Sequence, residues 1–222
     1  MPWRQIPQAH LKLQAVWVFF KKTTVGINKT VTITGCDTTV TAIEIPNSLE
    51  KLPVTKIADG AFNNNTLNNP HDSLTSVKLP STLTNIGKSA FYNCTNLSNV
   101  DLTACTELTT IGDEAFSGNS ALTSVKFPAS LRYIGSYAFN NCGLTNVDLS
   151  GCTQLLSLGE SAFNCNKELV AVKLPPNVET ISESAFWGCE KLADVNFTAC
   201  TSLKTIGESA FCWTGLTSVT LP

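Results

Sequence analysis

A chain of 222 residues, 43% apolar and 14% charged, has ample material for a folded core. Its net charge of −2 gives no electrostatic footprint for nucleic acid or an anionic membrane surface. No run of 18 apolar residues occurs, so no segment has the length to insert in a membrane as a spanning helix.

The first 28 residues share no pattern with the rest of the chain. Leu11 to Phe20 (LKLQAVWVFF) is apolar but short, ends in Lys21-Lys22 and is followed by no small-residue cleavage site, so there is no clear signal peptide. The segment reads as a capping strand or as the remnant of upstream sequence. From Lys29 the texture changes to KTVTITG, where Val31 and Ile33 alternate with threonines. Residues 29–35 therefore read as a strand covering an open end.

Repeats begin at Val40 and continue to residue 222. The best-formed copy, LTSVKFPASLRYIGSYAFNN (residues 122–141), holds an alternating run, a proline stop, a second apolar pair, a glycine and an Ala-Phe pair. The phenylalanine of that pair recurs at Phe62, Phe91, Phe116, Phe139, Phe163, Phe186 and Phe211, in steps of 25, 23, 24, 23 and 25 residues after the first interval. A period in the twenties means a solenoid, in which each unit buries its apolar face only against its neighbours. Eight strands are predicted, the first at Val40 and the others opening at Leu74, Leu97, Leu122, Leu144, Leu169, Leu192 and Leu216. The first repeat carries two insertions, residues 50–53 and the Asn-rich residues 63–73, the latter expected as an exposed loop.

A second period is superimposed. From the last strand residue to the next core aliphatic the distance is 7 residues at Leu79 to Ile86, Phe127 to Ile134 and Leu174 to Ile181, but 9 at Leu102 to Ile111, Leu149 to Leu158 and Phe197 to Ile206. Short arcs open with Pro80, Pro128 or Pro175, which turn the chain at once. Long arcs open with Thr or Ser and carry Cys105, Cys152 or Cys200. The repeating unit is thus a pair of turns of about 47 residues. The single glycines at Gly87, Gly112, Gly135, Gly159 and Gly207 read as turn residues and form no phosphate loop.

Residues 74–94, LTSVKLPSTLTNIGKSAFYNC, fit without a gap the pattern LxxVxLPxxLxxIGxxAFxxC. In this, and in the leader KTVTITG followed by AIEIP, the chain resembles the BspA-type leucine-rich repeat family from about Val31 to its last residue. The resemblance implies a right-handed leucine-rich repeat solenoid, mainly β, with a parallel sheet on one face and short strands or tight turns opposite. It also implies recognition without chemistry. The expected partner is a protein (host, matrix or self), and the expected place is extracellular or the cell surface, in adhesion. An intracellular interaction scaffold on the same fold is the alternative.

The fifth strand position runs Glu44, Lys78, Asp101, Lys126, Asp148, Lys173, Asn196, Thr220. Alternating signs on strands about 4.8 Å apart form a charge ladder, serving either to neutralise and align the sheet or as a polar binding stripe. Where the ladder fades, Val170, Ala171 and Asn196 mark a candidate docking patch. Tyr133, Tyr137, Trp187 and Trp213 fall outside the core pattern, and exposed Tyr and Trp are enriched at binding hot spots.

Nine cysteines without a CxxC, at places too far apart to bridge, read as buried small side chains and imply a reducing or anaerobic setting. No metal ligands, cofactor site or catalytic residues are assigned. The two histidines, His10 and His71, lie outside the regular coils, and the carboxylate pairs sit on solvent-facing turns. The chain stops at the end of a predicted strand, so either a monomeric fragment of a longer array or an end-to-end dimer is expected, to be separated by sedimentation.

Overall fold

The computed structural model describes residues 9–13, 16–25, 29–36, 40–64 and 73–221. The described residues form a parallel β-solenoid of seven coils with no helix. Each coil contains a front strand, an arc, a back strand and the turn that carries the Ala-Phe pair. The front strands are Ala42–Glu44, Ser76–Lys78, Asn99–Asp101, Ser124–Lys126, Asn146–Asp148, Ala171–Lys173 and Asp194–Asn196. The back strands are Leu52–Ile57, Asn85–Ile86, Thr110–Ile111, Tyr133–Ile134, Ser157–Leu158, Thr180–Ile181 and Thr205–Ile206.

Front strands number seven among the described residues, not eight. Residues 216–221 join no ladder; Leu216 packs against the core, but Val219 and Leu221 beyond it are exposed and pin no register. Ile206, expected in the core, is also exposed, because no described coil covers coil 7. At the other end, Thr30–Gly35 pairs in parallel with Leu52–Ile57 and antiparallel with Val16–Val25, which in turn pairs with Ala9–Leu13. The back ladder therefore runs unbroken from Ala9–Leu13 to Thr205–Ile206. Of the two insertions, the first closes a small hairpin, Ser48–Leu49 against Leu52–Ile57, with Glu50 and Lys51 in the left-handed region. Residues 65–72 of the second lie outside the described residues.

The front sheet is weakened between coils 2 and 3 and interrupted between coils 4 and 5, two boundaries of the 47-residue unit, but not between coils 6 and 7. Coils 1 and 2, 3 and 4, 5 and 6, and 6 and 7 pair over three residues each. Coils 2 and 3 pair only at Ser76 and Asn99, and coils 4 and 5 fall into separate sheets.

The interior is a stack of phenylalanine rings. Phe62, Phe91, Phe116, Phe139, Phe163, Phe186 and Phe211 follow one another with centroids 4.9–5.5 Å apart and planes within 13° of parallel. Phe127 and Phe197 meet this column edge-on, against Phe139 and Phe211. The alanine before each ring is buried in all seven coils, small where successive coils pack closely.

The glycine column has a different cause from the turn role read in the sequence. None of the five has a positive φ; instead, a Cβ on Gly159 would stand 2.5 Å from the backbone carbon of Gly135 and 2.6 Å from its oxygen. Glycine is needed for the approach of one coil to the next. Each of the five donates its N–H to the preceding back strand, as Gly159 does to Ile134 O at 3.0 Å. In coil 6 the position holds Ser182, and there this bond is absent.

Buried cysteines are polar partners as well as fillers. The Cys94, Cys142 and Cys189 thiols donate to the carbonyls of Phe62, Phe116 and Phe163 at 3.1, 3.1 and 3.3 Å. In the intervening coils Asn119 and Asn166 occupy the same place, each donating to the ring residue of its own coil and of the one before. Burial pushes the Cys142 and Cys189 thiols up to about 12 and those of Cys105 and Cys152 up to about 11. All nine cysteines are free, seven of them buried, with Cys165 half-buried and Cys212 exposed. Under native conditions a maleimide is expected to label Cys212 first and Cys165 slowly, the other seven reacting only after denaturation; mass spectrometry counts the adducts. Fast labelling of most thiols would contradict their burial.

Candidate recognition surface

Two of the three outward columns of the front sheet carry its polar pattern. In the first, hydroxyls bridge successive coils: Thr75 donates to Thr41 O at 2.8 Å, Ser98 to Thr75 O, Thr123 to Ser98 O and Thr145 to Thr123 O. The next members are Val170 and Ala193, where the hydroxyl ladder stops. Threonines do the same on the back face, Thr84 to Thr55 O and Thr109 to Thr84 O, until Arg132 and Leu156 take their place.

The second front column carries the charges, and they pair as three separate bridges instead of a continuous ladder. Lys78 meets Glu44 at 2.7 Å, Lys126 meets Asp101 at 3.0 Å and Lys173 meets Asp148 at 3.2 Å, each lysine reaching back to the coil before it. The cause is local. Asp101 Oδ1 accepts from Thr103 N and Oγ1, at 3.0 and 2.6 Å, closing the turn that opens the long arc and leaving Oδ2 for Lys126. Asp148 does the same with Ser150, and Asn196 with Thr198, so Asn196 keeps the turn and lacks the charge.

Hydrogen bonds from Thr103, then the Lys126 ammonium, hold the Asp101 carboxyl down at about 2; Asp148 is lowered chiefly by Ser150. A carboxyl depressed on folding stabilises above its unfolded value, near 3.8, and that stability is lost as pH falls towards 2. Both groups are exposed, so the contribution is small. Asp101→Asn is expected to cost less than about 1 kcal/mol and to flatten this acid limb, read from denaturant midpoints between pH 5 and 2.

The exposed large apolar residues among the described ones all lie at or beyond position 133. They include Tyr133 (44% exposed), Tyr137 (38%), Leu156 (49%), Val170 (49%), Trp187 (37%) and Trp213 (77%). The candidates do not converge on one patch. Val170, Ala171 and Asn196 share the front sheet of coils 5 to 7, continuous with exposed Ala193. Tyr133 lies on the back strand of coil 4, its hydroxyl 3.3 Å from Asp113 Oδ1. Tyr137 and Trp187 lie in turns, with the Tyr137 hydroxyl 3.0 Å from Glu160 Oε1.

Tyr137 and Trp213 have φ of 57° and 59°. At the equivalent positions the other coils hold Gly, Ser or Glu, and Asn, Gly or Cys; bulky side chains are uncommon there. Arg132 and Leu156 were not picked out by the repeat pattern. The signal available was the threonine column they interrupt.

Among the described residues no three His, Cys, Asp or Glu side chains are grouped to hold a metal ion, and no helix is long and apolar enough to cross a membrane. His71 lies outside the described residues.

The family model for the BspA type leucine rich repeat region matches in six copies, over residues 34–156 and 102–217. The chain belongs to that family. This BspA-type repeat chain is similar to the T. pallidum leucine-rich repeat protein, with 29% identity and a TM-score of 0.73, over 83% of this chain and 87% of the other. A leucine-rich repeat protein from Bacteroides ovatus is 26% identical, with a TM-score of 0.65, over 91% of this chain and 57% of the other. One from Eubacterium ventriosum, 23% identical with a TM-score of 0.69, shares the fold over 90% of this chain and 52% of its own length. The chain thus spans little more than half of these last two. No curated protein matches it.

Proposed function

We propose that this leucine-rich repeat chain is a non-enzymatic protein-recognition module, displayed on the cell surface or secreted, that adheres to a host or matrix protein. The observation that carries the reading is the change of surface along the solenoid. Coils 1 to 5 close their front face with hydroxyls bonded to carbonyls, and among the described residues the exposed large apolar side chains all lie at or beyond residue 133. Exposed Tyr and Trp are enriched at binding hot spots, and Val170 and Ala193 are exposed neighbours on the front sheet of coils 6 and 7. Membership of a repeat family of recognition modules supports the same reading.

The test is binding of the immobilised protein to a panel of purified matrix and host proteins. For a ligand found this way, Val170→Glu or Trp187→Ala is expected to weaken binding by about tenfold or more, the loss typical of a hot-spot residue. Parental affinity in both variants would remove the assignment of these surfaces. Antibody staining of intact cells tests the location.

One observation favours a second reading, an intracellular scaffold: nine free cysteines fit a reducing compartment better than an oxidising one. Staining only after permeabilisation would select it.

A further inference from the structure

We propose that the corner ridge of coils 4 to 7 docks a basic, extended segment of a partner protein. This rests on the recognition function proposed for the chain and names the partner's chemistry.

Exposed aromatic surface comes first. The Tyr133 and Tyr137 hydroxyls donate in opposite directions along the solenoid, to Asp113 in coil 3 and to Glu160 in coil 5. Both rings are therefore held at their tips with substantial area open to solvent, on a backbone that for Tyr137 is left-handed. Fixed aromatic rings with carboxylates beside them suit a guanidinium or ammonium group, which stacks on the ring and donates to the oxygens. Leu156, exposed in coil 5, offers apolar surface to the stem of such a side chain.

Charge then selects the occupant. Tyr137 N donates to Glu160 O at 2.8 Å, Ser161 N to Glu183 O at 2.9 Å and Ser184 N to Glu208 O at 2.9 Å. These bonds place Glu160, Glu183 and Glu208 in one column of successive coils, all three exposed. Earlier members of the column, Asp59, Lys88, Asp113 and Ser136, do not repeat a charge in neighbouring coils. Like charges directly opposite each other destabilise a ladder. Residues 133–222 contain four lysines and eight carboxylates, net −4, against eleven cations and nine carboxylates, net +2, in residues 1–132; the two sum to the −2 of the whole chain. All four lysines are committed, Lys167 to Glu190, Lys173 to Asp148, Lys191 to Glu168 and Lys204 to Glu179. The carboxylates left over are Glu160, Glu183, Glu208 and Asp194. Arg132 of coil 4, exposed in the same column as Leu156, offsets one of these four charges, so the region that exposes the aromatic rings keeps a net anionic surplus, which favours a cationic partner over an acidic one.

Fluorescence anisotropy with a labelled peptide of alternating Arg and Ser, against a matched Glu and Ser peptide, tests the proposal. The basic peptide is expected to bind at least about tenfold more tightly than the acidic one, and to weaken as salt is raised. Combined Glu160→Gln, Glu183→Gln and Glu208→Gln is expected to weaken it about tenfold with an unchanged melting temperature, and Tyr137→Phe, which frees the ring tip, by a smaller factor. Ser98→Ala, on the front sheet of coil 3, is expected to leave it unchanged. Equal binding of the two peptides, or of the parent and the triple variant, would overturn the proposal. So would a glycan that binds through Tyr133 and is indifferent to the triple variant. A protein ligand lost in Val170→Glu and retained in the triple variant would sink the ridge and leave the recognition reading standing.

Discussion

Phe139→Ala is expected to destabilise the protein by about 3–5 kcal/mol. The ring lies between Phe116 and Phe163 at 5.3 Å on each side and receives Phe127 edge-on, so truncation removes three aromatic contacts and leaves a gap in the middle of the stack. Neighbouring coils cannot collapse into the gap, because the glycine columns and back ladder already hold them at backbone contact. Urea unfolding followed by far-UV circular dichroism gives the value. A loss under about 1 kcal/mol would mean that the stack is not the core. The same change at Phe211, which is only partly buried, is expected to cost less.

Gly159→Ala is expected to cost about 1–3 kcal/mol, near the upper end, although it adds one methyl group. The new carbon would meet backbone atoms of Gly135, which have no rotamer by which to retreat. Ser182 shows the accommodation between two repeat coils, a side chain carried with loss of the coil-to-coil hydrogen bond, worth about 0.5–1.5 kcal/mol. Ala58, which faces the Thr30–Gly35 strand instead of a repeat coil, keeps its bond to Ile33 O at 2.8 Å. A chemical-denaturation midpoint for Gly159→Ala equal to that of the parent would refute the close-approach argument. Gly151, where an added Cβ would find nothing within 4 Å, is the control and is expected to accept alanine without loss.

The period was legible because one solution to burying a ring is reused seven times. A Phe every 23 to 25 residues, small residues before it and a proline or hydroxyl at the strand end can be read from spacing alone. The pair-of-turns unit was legible for the same reason and reappears at two of its three boundaries in how the front strands pair, coils 6 and 7 being joined across the third. What could not be read were properties set between coils. The glycines look like turn residues in one copy, and only the neighbouring coil shows what a Cβ would strike. The alternating charges look like one ladder, and only the Thr103 and Ser150 bonds show which oxygen faces which lysine. Coil 7 follows the core pattern at Ile206 and still exposes it, since burial in a solenoid is supplied by the next coil. The candidate surface was partly legible: Tyr133, Tyr137, Trp187 and Trp213 stood out as departures from the repeat. Leu156 did not, because a leucine beside Leu155 and Leu158 looks like more of the core.

The split of the front sheet between coils 4 and 5 gives the molecule a preferred direction of bending. A wall that is joined along one side and slit along the other yields most easily by opening the slit. Tilting coils 5 to 7 away from coils 1 to 4 stretches the Thr145-to-Thr123 bonds and the Cys152-to-Pro128 contact at that joint, while the back ladder acts as the pivot. A tilt between coils 4 and 5 thus costs little in front-sheet hydrogen bonds.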